Sequence, residues 1–313
     1  MYQEYFDLNS KPFKITPDPR YLFMSDRHKE GLAHLLYGVT DSGGFIQLTG
    51  EVGTGKTTLV RALLEQLPKK VEIALIMHTQ ISGREFLLEI CNELEVIING
   101  DSIIEIVNSL NQYLLKQHAN GKKVILLVDE AQNLSPEVLE QLRLLTNLET
   151  EQEKLLQIIL IGQPELRDVL AKNNLRQLSQ RVTARYHLHP LSRLETGLYI
   201  DHRLRISGAT AQIFNKNAKK EVFHLSSGIP RLINVICDRA LLGAYSKGST
   251  EINKDLIKQS DREIKGNPAK TLSEKWPIFI FSFLIISIII FVFELGYLDI
   301  HSIDGVLKNF LGQ

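Results

Sequence analysis

Apolar positions change period several times along this chain. Leu32, Leu35, Leu36 and Val39 fall at helical spacing and Ser42-Gly43-Gly44 closes the segment, so residues 27–41 are predicted to form a helix that leads into a strand. Phe45–Leu48, Val71–Ile76, the fully apolar Val124–Val128, Leu155–Ile161 and a shorter Arg185–Leu188 read as strands. Helices are predicted between them: Lys56–Leu67 up to Pro68, a segment capped by Ser82 with Phe86, Leu87, Ile90 and Leu94 on one face, Ile103–His118, and a segment opening at Ser135-Pro136. Such alternation predicts an α/β fold, an open parallel sheet with right-handed crossovers and helices on both faces. From Arg193 the strands stop, and helical patterns continue to about Lys265.

The expected organisation is an α/β domain over 1–191, with 1–43 as its lead-in, then a small all-helical lid domain over 192–265 and a polar linker over 266–275. Trp276 to Phe293 carries no charge, and the apolar character resumes after Glu294 to Leu298, so 276–298 is expected to be a transmembrane helix. Lys258, Arg262, Lys265, Lys270 and Lys275 precede it and only Lys308 follows, which places the preceding residues in the cytoplasm. Trp276 and Tyr297 stand near its ends, as interfacial aromatics do. Residues 299–313 are then expected to be a short extracytoplasmic tail. Met1–Phe13 has neither the apolar stretch nor the small-residue cleavage site of a signal peptide, so none is expected.

Composition adds little. A 44% hydrophobic content supports a core, and 36 Lys plus Arg balance 36 Asp plus Glu, so overall charge argues for no polyionic partner. Cys91 and Cys237 lack metal-ligand spacing and read as reduced core thiols.

The chemistry-bearing motif is Gly50-Glu51-Val52-Gly53-Thr54-Gly55-Lys56-Thr57, which fits GxxxxGK[ST] between a predicted strand and a predicted helix. Glycines let backbone N–H groups turn inward around phosphate oxygens, and the helix N-terminus adds a positive end. Lys56 is expected on the β and γ phosphates, Thr57 on Mg²⁺, and Thr58 as the next donor in the turn. Val124–Val128 delivers Asp129 and Glu130 at a strand's C-terminal edge, where ligands bind in open α/β sheets. Asp129 suits the metal's water shell, and Glu130 suits a base that orients and deprotonates a water for attack on the γ-phosphate of ATP. Gln163 ends the next strand, either as a sensor of γ-phosphate or water or as a plain turn residue.

The phrases YFDLNSKPFKITPDPRYLFMS, GEVGTGKTT, VDEAQNLSPEVLEQLRLLTNLET, KLLQIILIGQPEL, LRQLSQRVTARYHL and SSGIPRLINVICDRALLGAY resemble AAA+ ATPases of the general secretion pathway protein A (ExeA-type) family and its relatives in mannose-sensitive (MSHA) pilus biogenesis, over about residues 1–250. The resemblance implies that Arg181 reaches the nucleotide of a neighbouring subunit, with Arg176 and Arg185 as alternates, and that Arg231 of Gly228-Ile-Pro-Arg231 acts on the same subunit's nucleotide from the lid. It further implies a homo-oligomer with ATP at subunit interfaces, anchored in the inner membrane with secretion or pilus assembly components as partners. The secretion-type relatives carry a peptidoglycan-binding module beyond the membrane that the short tail does not match, which raises the pilus reading. The alternative is a DNA-binding AAA+ helper of the transposition or initiator type, but no winged helix or basic arm is visible, and nucleic acid is not an expected partner.

Overall fold

A computed structural model describes residues 1–266, apart from 17, 42, 43, 173 and 174, together with Ser287. The expected transmembrane segment 276–298 and the tail lie outside the described residues, apart from Ser287. Among the described residues no helix is long and apolar enough to cross a membrane. The chain divides into two units, Met1–Asp261 and Arg262–Gln313, and every residue discussed at the site below belongs to the first.

Five strands, β1 (Phe45–Gly50), β2 (Val71–Ile76), β3 (Lys123–Val128), β4 (Leu156–Gly162) and β5 (Val182–Leu188), form one sheet in the order β2-β3-β4-β1-β5. All four pairings are parallel. The three inner strands are buried almost throughout, which is why they read as unbroken apolar runs. Their side chains alternate between two cores. Val124, Leu126, Val128, Ile158 and Leu160 pack with α4 (Gly83–Glu93), α5 (Ile103–Ala119) and α6 (Pro136–Leu145). Ile125, Leu127, Ile159, Ile161, Ile46 and Leu48 pack on the other face with α2 (Asp26–Asp41) and α3 (Lys56–Gln66).

Strand β5 begins three residues earlier than the sequence pattern suggests. It is an edge strand whose Thr183 and Arg185 face solvent while Val182, Ala184 and Tyr186 are half-buried, so its first half does not read as an apolar run. Two short helices, α7 (Glu165–Leu170) and α8 (Arg176–Gln180), fill the stretch between β4 and β5 and were not legible as helices.

Beyond β5, α9 (Arg193–Ile206), α10 (Lys216–Ser226), α11 (Pro230–Ser246) and α12 (Lys254–Ile264) follow. Their core is formed by Ile200, Phe214, Val222, Ile233, Cys237 and Leu241, and it also takes in Tyr2, Leu8 and Phe13 from the lead-in. Arg203 of α9 fixes that lead-in from the buried side, donating from Nε to the Pro12 carbonyl at 2.5 Å and from Nη1 to the Tyr199 hydroxyl at 2.8 Å. The Arg203 guanidinium also lies 4.7 Å from the Tyr21 ring centroid, within cation–π range. Cys91 and Cys237 are both free and buried, and burial pushes the Cys91 thiol up to about 11.

Candidate nucleotide-binding site

Strand β1 ends at Gly50 and α3 begins at Lys56, leaving a five-residue loop at the sheet's C-terminal edge. Two of its residues need to be glycine. Gly53 (φ +83°) and Gly55 (φ +105°) adopt left-handed backbone, and a Cβ would stand 2.6 Å from Arg231 Cβ at the first and 2.9 Å from His28 Nε2 at the second. Thr54 closes the turn, its hydroxyl donating to the Glu51 carbonyl at 2.9 Å. Buried Lys56 lays its ammonium across the loop, donating to the carbonyls of Gly50 at 2.7 Å and Glu51 at 3.1 Å. Burial draws its pKa below the usual lysine range, while Glu130 and Asp129 oppose that shift. Thr57 is exposed and Thr58 half-buried in the first turn of α3. A glycine loop open to its surroundings, a helix N-terminus and an ammonium at one place fit a phosphate chain.

Strand β3 brings the acidic pair to the same edge. Asp129 donates its backbone N–H to the Ile76 carbonyl at 3.0 Å, and its side chain accepts the Glu130 N–H at 2.9 Å. Desolvation raises the Asp129 pKa above the usual carboxylate value, and the Glu130 N–H and Lys56 offset this in part. Glu130 itself has φ +51°, an uncommon left-handed backbone at a non-glycine residue that costs energy and that Asp7, Glu95 and Ser227 also adopt among the described residues. Its Oε2 accepts two amides, from Gln132 Nε2 at 2.5 Å and Gln163 Nε2 at 3.3 Å. The Gln163 backbone N–H in turn donates to Gln132 Oε1 at 2.9 Å.

Arg231 reaches the loop from the start of α11. Gly228 (φ +76°) presses against Leu191, where a Cβ would meet the Leu191 carbonyl oxygen at 1.9 Å, and its own carbonyl accepts the Leu191 N–H at 2.9 Å. Pro230 then starts α11, and the Arg231 backbone N–H donates to the Gly53 carbonyl at 3.3 Å. The loop, Glu130, Arg231 and the lead-in residues Thr16, Leu22 and Phe23 line a cleft of about 440 Å³.

Arg181 stands elsewhere. It precedes β5, at the N-terminal edge of the sheet, and its carbonyl accepts the N–H of Phe45 at 3.3 Å, whereas the loop leaves the C-terminal edge beyond Gly50. A strand of this length separates the two edges by about 20 Å. Its guanidinium donates to Asn147 Oδ1 at 2.7 Å, to the Arg143 carbonyl at 3.3 Å and to the Thr146 hydroxyl. Arg185 donates to the Ser179 carbonyl at 2.8 Å, and Arg176 opens α8. The geometry thus gathers Gly50–Thr58, Asp129, Glu130, Gln163 and Arg231 at one edge and sets the three other arginines apart from them.

Two residues close to this site escape sequence reading. His28, buried in α2, sits 3.3 Å from the Thr54 carbonyl through Nε2 and 2.7 Å from the Ser25 hydroxyl through Nδ1. Gln132 lies in a short 3-10 turn, Ala131–Asn133. His28 lies one helical turn before Leu32 on the buried face of α2, but as a polar residue it drew no reading; the signal for Gln132 was its place two residues after Glu130.

Residues 39–170 match the AAA domain. The chain is 51% identical over 267 residues to general secretion pathway protein A of Aeromonas hydrophila, an alignment covering 85% of this chain and 49% of that protein, so the chain spans about half the length of the curated relative it matches. Among solved structures it is similar to Cdc6p from Pyrobaculum aerophilum, with a TM-score of 0.59 at 18% identity over 79% of this chain and 71% of that one. It is also similar to Drosophila ORC bound to DNA, with a TM-score of 0.62 at 20% identity over 81% and 64% of the respective chains. At these identities the likeness to solved structures is one of fold. That fold is an α/β P-loop AAA core on a five-stranded parallel sheet.

Proposed function

The chain is an AAA-domain relative of general secretion pathway protein A, and on that premise we propose that it is a membrane-anchored ATPase whose hydrolysis of ATP drives or regulates assembly of an envelope machine, a secretion apparatus or a type IV pilus. The observation that carries the catalytic half is the convergence of the glycine loop, Lys56, Glu130 and Arg231 on one cleft. Backbone N–H groups of Gly50–Gly55 and the start of α3 bind the phosphates, and Lys56 leaves its loop carbonyls for the β and γ oxygens. Thr57 and Asp129 would hold Mg²⁺, which would neutralise phosphate charge. Glu130 orients the attacking water and takes its proton, with Gln163 beside it as the sensor of the γ-phosphate. Arg231 steadies the charge on the transferring group from the lid.

Arg181 fits a different role. At the far edge of its own sheet, it serves the cleft of a second copy, so ATP sits at subunit interfaces of a homo-oligomer. The uncharged run at 276–293 and the cationic residues before it support anchoring in the inner membrane with the ATPase on the cytoplasmic side. Secretion-type partners are suggested by the relative's name; pilus components are the second possibility within the same class. A DNA-binding helper draws on likeness of fold alone.

Phosphate release and nucleotide binding by the full chain in detergent, with ATP and Mg²⁺, test the reading. Lys56→Ala is expected to lose nucleotide binding. Glu130→Gln is expected to keep binding while hydrolysis falls at least about a hundredfold. Tight binding by Lys56→Ala, or unchanged turnover by Glu130→Gln, overturns it.

A further inference from the structure

We infer that Gln132 is a positioning residue for hydrolysis, a carboxamide clamp that locks the Glu130 carboxylate to the end of β4. Three observations meet at this side chain. Its Nε2 donates to Glu130 Oε2 at 2.5 Å. Its Oε1 accepts the backbone N–H of Gln163 at 2.9 Å. Gly162 leaves the space in which that oxygen lies, since a Cβ there would stand 2.7 Å from it.

The physical need for such a clamp comes from Glu130 itself. Its backbone sits in the left-handed region at the turn between the end of β3 and the 3-10 turn Ala131–Asn133, so its side chain projects outside the regular geometry of either element. A carboxylate aimed by its own χ angles alone samples several rotamers, and a base that must meet a water in line with the phosphate loses rate with each misplacement. Gln132 removes that freedom. Both amides, from Gln132 and Gln163, fall on Oε2. Oε1 is then the oxygen turned to the water, and the proton goes there.

The same side chain ties two strand ends together. Gln132 holds Glu130, which follows β3, through its nitrogen, and the backbone N–H of Gln163, which follows β4, through its oxygen. A shift of the β4 end on nucleotide binding therefore moves the base directly. The clamp does not touch the reacting atoms, and it acts only through Glu130.

The inference rests on the reading of Glu130 as the base, and a double-mutant cycle separates the two. In the full chain in detergent, Gln132→Leu is expected to lower kcat about tenfold or more with KM for ATP within about twofold, because it misplaces the base without touching the phosphates. Gly162→Ala, which pushes the Gln132 carboxamide aside, is expected to lower kcat in the same way. In the Glu130→Gln background, Gln132→Leu is expected to add nothing further, since a clamp has no effect once its carboxylate is gone. Unchanged kcat in Gln132→Leu, or an equal fold loss in both backgrounds, overturns the clamp while leaving Glu130 in its role. Wild-type turnover by Glu130→Gln, or none by the wild type, overturns the reading of Glu130 and the clamp with it.

Discussion

Beneath the phosphate loop His28 is held neutral. The Thr54 carbonyl only accepts, so Nε2 carries the proton and donates to it, and Nδ1 accepts from the Ser25 hydroxyl. Burial lowers the His28 pKa below its ordinary 6.5, against smaller opposing effects of the Thr54 carbonyl and Glu195. In the window between the lowered folded value and 6.5 the unfolded chain binds more protons than the folded one, so stability falls as pH drops through it. His28→Gln is therefore expected to flatten part of the loss seen in melts between about pH 7 and about pH 5, and an unchanged pH slope would count against a neutral His28. At this scale the sequence was informative wherever a motif fixes spacing. Gly53, Gly55, Lys56, Asp129 and Glu130 were legible because phosphate binding demands those residues in that order. His28 and Gln132 were not, because His28's contact with Thr54 and Gln132's with Gln163 are made by packing across the chain, and Ser25, though local to His28, gives no hint of a buried imidazole.

Strands were legible by apolar sequence and not by burial alone: edge strand β2, mostly half-buried, reads as a strand because Val71, Ile73, Ala74, Leu75 and Ile76 are apolar. The inner strands β1, β3 and β4 are covered on both faces and announce themselves as apolar runs, whereas β5 hides its first half because one face meets solvent. Helix starts were marked by serine caps, and Ser82 makes a full capping box with Glu85 as its spacing suggests. The lid's contact with the loop depends on Gly228, whose motif was legible but whose reason was not. It combines left-handed backbone with a 1.9 Å approach to the Leu191 carbonyl oxygen. Gly228→Ala is expected to destabilise the fold by about 2 to 5 kcal/mol in a denaturant melt, from backbone strain and forced displacement together. Gly121→Ala makes the control: φ is +67° there but nothing lies within 4 Å, so only the backbone cost of about 1 kcal/mol is expected. Equal losses at the two positions would show that the Leu191 approach matters little.

For the whole molecule, Arg181 lies at the sheet edge opposite the cleft, and the proposed function makes hydrolysis a property of pairs of copies. Mixing Arg181→Ala with Lys56→Ala, each expected to be inactive alone, is expected to restore part of the activity, because an intact cleft in one copy then meets an intact arginine from the other. A mixture no faster than the two variants apart would place the arginine's action within one chain or nowhere. The packing of Tyr2, Leu8 and Phe13 into the helical core carries a further consequence for how the chain is made. Tyr2 donates its hydroxyl to Asp238 across a separation of 236 residues. Synthesis releases the lead-in well before its partners in α10 and α11. The sheet can collapse around β1, β3 and β4 while the ribosome is still at work, but the lead-in must wait, with its aromatic residues uncovered, until α11 has emerged.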